Sequence, residues 1–124
     1  SSFFRANLYE ANLEGGNFEK TNFTSANLTR VNFKGASLIE VNFKDSNLFE
    51  SDFTGANILS ANLTRANFKG ASLIEATFKD SNLFESDFTG ANIINANFEG
   101  ANLNNAIWID GKKCSLGSIG ECKK

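Results

Sequence analysis

Acids recur in matched pairs along this chain, Asp45 with Asp80 and Glu50 with Glu85. Two carboxylates can share acid and base work when their surroundings push their pKa values apart. Here the two members of each pair lie 35 residues apart inside near-identical stretches, so they read as duplicated, solvated charges. A nucleophile would need an activating base, yet the chain has no His and its single tyrosine is Tyr9. Neither a Gly-rich phosphate loop nor a Ser nucleophile elbow is present. Cys114 and Cys122 are the only cysteines. Two thiolates without a histidine cannot complete a structural zinc site, and their spacing is not that of a C-x-x-C redox pair. A disulfide or two free thiols remain, and the glycines around them favour the disulfide. The sequence therefore assigns no catalytic, cofactor-binding or metal residues, and the expectation is a protein that is not an enzyme.

What positions these residues is a five-residue period. Phe, Leu, Ile or Trp falls on every fifth position for 22 steps, from Phe3, Leu8 and Leu13 to Leu103 and Trp108. On an α-helix, steps of five spiral around the cylinder, and in a flat strand they alternate between faces. A second column resolves this. Two residues before each large one stands a small one, such as Ala6, Ala26, Ser46 and Ala66. Residues two apart in an extended segment point the same way, so both columns face inward. The next two positions both face outward, which demands a bend once per repeat. Gly15, Gly35, Gly55, Gly70, Gly90 and Gly100 occupy the second outward position, where a turn with φ > 0 favours glycine. Between the inward columns is asparagine in 15 of the 22 repeats, a residue suited to turn hydrogen bonds or to ladders between stacked coils.

The units ANLYE, ANLEG, ANLTR, ANFKG and ANFEG resemble the pentapeptide-repeat proteins, over about residues 1–110. The resemblance implies an all-β fold, a right-handed quadrilateral parallel β-helix with four pentapeptides per coil. On that basis residues 1–110 form about five and a half coils, a short rod roughly 26 Å long at the ~4.8 Å spacing of stacked strands. Asp52 and Asp87 stand in the asparagine column, where the family uses Asp and Asn interchangeably. Ser37, Ser72, Thr77 and Ile107 depart from it. Residues 111–124 resemble the Cys-containing C-terminal segments of some bacterial and cyanobacterial members. They are expected to form a capping tail, with Ile107, Trp108, Ile109, Leu116 and Ile119 supplying material for a lid over the open core.

A larger repeat lies inside the small one. Residues 26–60 and 61–95 match at 30 of 35 positions. Seven pentapeptides are not a multiple of four, so in a four-sided coil every duplicated residue moves to another face. A long single-face binding stripe would not survive that rotation. The rotation also sets Ile39 and Leu59 beside a corner from their copies Ile74 and Ile94, a candidate interaction surface. The uncapped first coil around Phe3 and Phe4 is a second one, which could pair with a second copy to make a homodimer.

A net charge of −2, from 12 basic and 14 acidic residues, makes nucleic acid an unfavoured partner. No stretch of about 20 apolar residues is available to span a membrane. The chain begins at Ser1 without Met, leaving open whether a leader was removed. If Cys114 and Cys122 are bonded, the compartment is extracytoplasmic, such as periplasm or thylakoid lumen; otherwise it is cytoplasmic. The functional expectation is a scaffold or protein-interaction module with an unidentified protein partner. The alternative is a DNA-mimic regulator of a DNA-binding enzyme such as gyrase, since some family members resemble duplex DNA in size and negative charge. Interleaved acids and bases on a short rod rank it lower.

Overall fold

Every pentapeptide folds into the same β-turn. The carbonyl of Phe3 accepts the N–H of Ala6 at 2.9 Å, and the bond recurs from Ala11 to Leu8 at 3.0 Å and onward along the chain, except at Ile58, where the Ala61 N–H donates to the Ser81 hydroxyl instead. The third residue of each turn has positive φ at all 21 corners from Arg5 to Asn105, between 53° and 73°. Only six of these are glycine; the other 15 include Lys20, Arg30, Glu40 and Asp45. Glycine at this position is thus a preference and not a requirement. Closing the coil dictates the dihedral, and the packed interior holds other residue types in it at a local cost.

The computed structural model describes residues 1–124 and contains no helix. Parallel bridges join each residue of the asparagine column to the one 20 further on, from Ser2↔Asn22 without interruption to Asp87↔Ile107. One coil therefore takes twenty residues, or four five-residue sides. Each repeat makes three bonds to the next coil: Phe23 N–H donates to the Asn42 carbonyl at 2.7 Å, Ser25 N–H to the Lys44 carbonyl at 2.9 Å, and Asn42 N–H to the Thr21 carbonyl at 3.0 Å. A side holds one bridging residue before the next turn begins. The pairing thus stays a column of single bridges and never lengthens into strands.

Both inward columns are buried as their spacing requires. Phe23, Phe33, Phe43, Phe53, Phe68, Phe78 and Phe88 are fully enclosed. Rings in one row stack on the coil above, as in Phe3–Phe23 and Phe23–Phe43 at 5.1 Å, while rings of neighbouring rows meet edge-on, as in Phe43–Phe53 at 6.0 Å. Offset-stacked and edge-to-face contacts are the favoured aromatic geometries. The small column makes room for them. Ser81 does more: its hydroxyl donates to the Ile58 carbonyl at 2.8 Å and accepts the Ala61 N–H at 3.0 Å, bridging a turn in the coil above.

Beyond Trp108 the chain turns back and lies antiparallel on the last coil, with bridges Asn102↔Ile119 and Ile107↔Lys113. Cys114 N–H donates to the Ala106 carbonyl at 2.7 Å, and Leu103 N–H donates to the Ser118 carbonyl at 2.7 Å. Three of the apolar residues expected to cover the core do not do so. Leu116 is 78% exposed, Ile119 53% and Ile109 37%. Pairing edge to edge fixes which tail residues face inward, and these are Cys114 and Ser118, both fully buried. Trp108 is half-buried and meets Phe88 and Phe98 edge-on at 5.4 and 5.3 Å.

Candidate interaction surface

The asparagine column is occupied locally. In repeat after repeat its side-chain oxygen accepts the N–H two residues on, as from Thr24 to Asn22 at 2.9 Å and from Glu99 to Asn97 at 2.8 Å. Asp52 and Asp87 make the same bond, to Thr54 and Thr89 at 3.0 Å. Both expected roles occur, because Asn27, Asn32, Asn67 and Asn102 also reach the asparagine one coil above through their amide nitrogens at 3.3–3.4 Å. These side chains hold the turns and the stacking.

Acids and bases alternate down the corners. Arg30 pairs with Glu50 at 2.8 Å, and Arg65 lies between Asp45 at 2.8 Å and Glu85 at 3.7 Å. Donating to Glu50 raises the Arg30 pKa, and donating to Asp45 raises that of Arg65. Lys34–Asp52 and Lys69–Asp87 span 3.5 and 3.6 Å. These last two pairs, like Arg30–Glu50 and Arg65–Glu85, are 35-residue copies of each other. Contacts between coils run 18–20 residues, shorter than the duplicated segment, so each copy carried its own ion pairs to a new face. The acids first considered for chemistry are exposed members of these ladders or turn acceptors.

Ile39 stacks one coil above Leu59, and Ile74 one coil above Ile94, by the 20-residue register. The structure does not merge the two pairs. A strip containing Asn57 and Thr77 runs between them, and Ile39, Leu59 and Ile74 are each half-buried. Ile94 alone is prominent, at 60% exposure. At the other candidate surface, Phe3 is half-buried against the core while Phe4 is 52% exposed, with the Arg5 guanidinium 5.0 Å from its ring centre.

In the tail, Cys114 and Cys122 are joined by a disulfide, with Cα atoms 5.1 Å apart. Two anchoring residues escaped the sequence reading. Asn104 accepts the N–H groups of Gly117 and Ser118 at 2.7 and 3.0 Å. Ser118 donates its hydroxyl to the Ser115 carbonyl at 2.6 Å and accepts the Lys123 N–H at 2.9 Å. The one sequence signal for Asn104 is an amide at an outward position, outside the asparagine column. Asp110 accepts from Lys124 at 2.6 Å and from Lys112 N–H at 3.0 Å, which holds its carboxyl below the usual range.

A parallel coil of twenty-residue turns, buried Phe and Leu rows and turn-capping asparagines define a repeat β-helix. The chain belongs to the pentapeptide repeat family, whose model matches residues 1–38, 26–58, 61–100 and 81–107 in eight copies. Its fold is the right-handed β-helix of that family. It is similar to the pentapeptide repeat protein alr5209 of Nostoc Pcc 7120, with 28% identity over 69% of each chain and a TM-score of 0.65. A pentapeptide repeat protein of the Arabidopsis thaliana thylakoid lumen is 21% identical over 92% of this chain and 83% of its own, also at 0.65. QnrB1, a plasmid-mediated fluoroquinolone resistance protein, is 22% identical over 85% of this chain and 58% of its own, at 0.64. The latter two likenesses speak to fold alone. No curated protein sequence matches the chain. No helix is long and apolar enough to cross a membrane.

Proposed function

We propose that this chain is a non-enzymatic β-helical scaffold that binds a protein partner through its outward corner residues. The fold's finer plan belongs to the same reading: about five and a half four-sided coils over residues 1–110, closed at one end by residues 111–124. One observation carries it. The repeating polar side chains are engaged in turns and in bonds between coils, which leaves the variable corner residues to meet a partner. Among those, exposed Ile94 stacks on half-buried Ile74, flanked across one side by Ile39 and Leu59. The disulfide supports an extracytoplasmic compartment, because such bonds persist in oxidising surroundings. The DNA-mimic alternative ranks lower, since Arg30, Arg65, Lys34 and Lys69 neutralise the acids beside them.

Affinity capture from the native organism, with its compartment established, would identify the partner. The double variant Ile74→Lys, Ile94→Lys is then expected to weaken binding at least tenfold with an unchanged melting temperature. Unchanged affinity would remove this surface from consideration. A gyrase supercoiling assay that responds to the protein would favour the alternative.

A further inference from the structure

Of the duplicated acids Asp45, Asp80, Glu50 and Glu85, Asp80 alone makes no ion pair. Asp45 takes the guanidinium of Arg65 from one coil on, with Nε 2.8 Å from Oδ1 and Nη2 3.5 Å from Oδ2. That contact crosses the junction of the duplication, because Asp45 belongs to residues 26–60 and Arg65 to residues 61–95. The same step of one coil from Asp80 reaches Gly100, which lies beyond the second copy. Duplication thus reproduced the acid without its arginine.

The backbone is alike at the two places: Asp45 N–H donates to the Thr64 carbonyl at 3.0 Å, Asp80 N–H donates to the Glu99 carbonyl at 2.9 Å, and φ is 57° and 58°. The Asp80 side chain is exposed and leans over Gly100, where a Cβ would run into its Oδ1. Gly120 of the tail packs next to Gly100: its N–H donates to the Ala101 carbonyl at 2.8 Å, and a Cβ there would lie 3.7 Å from the Gly100 nitrogen. Two glycines therefore leave bare backbone at this corner. Beside Gly120 stand exposed Glu121 and Ile119, the latter 53% exposed.

We propose that this corner binds an arginine side chain of a protein partner, in the place that Arg65 takes beside Asp45. Arg65 lies between two acids, Asp45 and Glu85. Asp80 and Glu121 bracket the Gly100 and Gly120 backbone in the same sense. Lys79 and Glu99, one coil apart in the neighbouring row, offset each other in charge. Arginine fits better than lysine, because its flat fork meets a carboxylate through two donors and the two glycines give it room. Ile119 selects an aliphatic neighbour for that arginine. The inference rests on the reading of the chain as a protein-binding scaffold, but it uses none of Ile39, Leu59, Ile74 and Ile94.

NMR titration of residues 1–124 with the dipeptide acetyl-Leu-Arg-amide tests it. The expected result is a saturable shift of the Asp80, Gly100 and Gly120 amides, with weaker binding of acetyl-Leu-Lys-amide. Asp80→Asn should weaken the arginine dipeptide about threefold, the scale of one exposed ion pair. Asp45→Asn should leave it unchanged, since that acid already holds Arg65. Ile74→Lys with Ile94→Lys should also leave it unchanged, which separates failure of this corner from failure of that surface. Shifts that do not saturate, shifts spread evenly over the other exposed acids, equal binding of the lysine dipeptide, or indifference to Asp80→Asn would each overturn the proposal.

Discussion

Because the same dihedral recurs at every corner, its energetic cost can be isolated at Gly35. Its φ is +62°, and a Cβ added there meets nothing within 4 Å, so Gly35→Ala changes the backbone without touching the packing. Holding a non-glycine residue in the left-handed region costs about 1–2 kcal/mol. Restricting the unfolded chain returns about 0.4–1 kcal/mol. The net expectation is a loss of roughly 0.5–1 kcal/mol, or about 2–5 °C in melting temperature for a domain of this size. The reverse change, Glu40→Gly, sits at φ 56° on an exposed corner and should stabilise by a similar amount. Urea titrations followed by circular dichroism would read both, with midpoints shifting in opposite directions at constant m-value. Gly100→Ala serves as a contrast, because there the new Cβ would run into the Asp80 carboxylate and the loss should be larger. If Gly35→Ala is neutral or stabilising, or if Glu40→Gly destabilises, the corner dihedral does not control stability as reasoned.

The disulfide closes an eight-residue separation in the tail and should contribute about 2–3 kcal/mol to tail docking by the loop-entropy argument. Cys122→Ser should therefore speed proteolysis within residues 111–124 while leaving the repeat spectrum intact; two reactive thiols in the denatured, unreduced protein would refute the bond itself. The hydrogen bond from Lys124, aided by the Lys112 N–H, lowers the Asp110 pKa, so its stabilising effect is complete above the unfolded value near 4. That effect is lost as pH falls through the lower folded value. NMR titration of the tail amides should show it loosening there and not at neutral pH, and Asp110→Asn should abolish the transition.

Much of the architecture was legible because the repeat is short and each column has one job. A large residue at Phe23, a small one at Thr21 and an amide at Asn22 are enough to say which side faces inward, since inward direction follows from two-residue spacing alone. The corner residues were legible only in part. Gly35 announces a positive φ, but Lys20 and Glu40 do not, because their dihedral comes from coil closure and not from their own preference. How far each residue of the candidate surface is exposed was not legible. Sequence places Ile74 and Leu59 near one corner, but it does not tell how deeply each sinks between its neighbours.

The period itself determined the inward rows, the bends and the family, because a five-residue spacing is compatible with few backbone paths. Periodicity stopped at Trp108, and from there only the tertiary structure could decide. Hydropathy nominated Leu116 and Ile119 as the cover of the core, whereas the antiparallel pairing of the tail buries Cys114 and Ser118 and turns both nominees to solvent. Which side chains face inward in an unrepeated segment depends on the edge it pairs with, and that edge belongs to residues 101–107, several positions away along the chain.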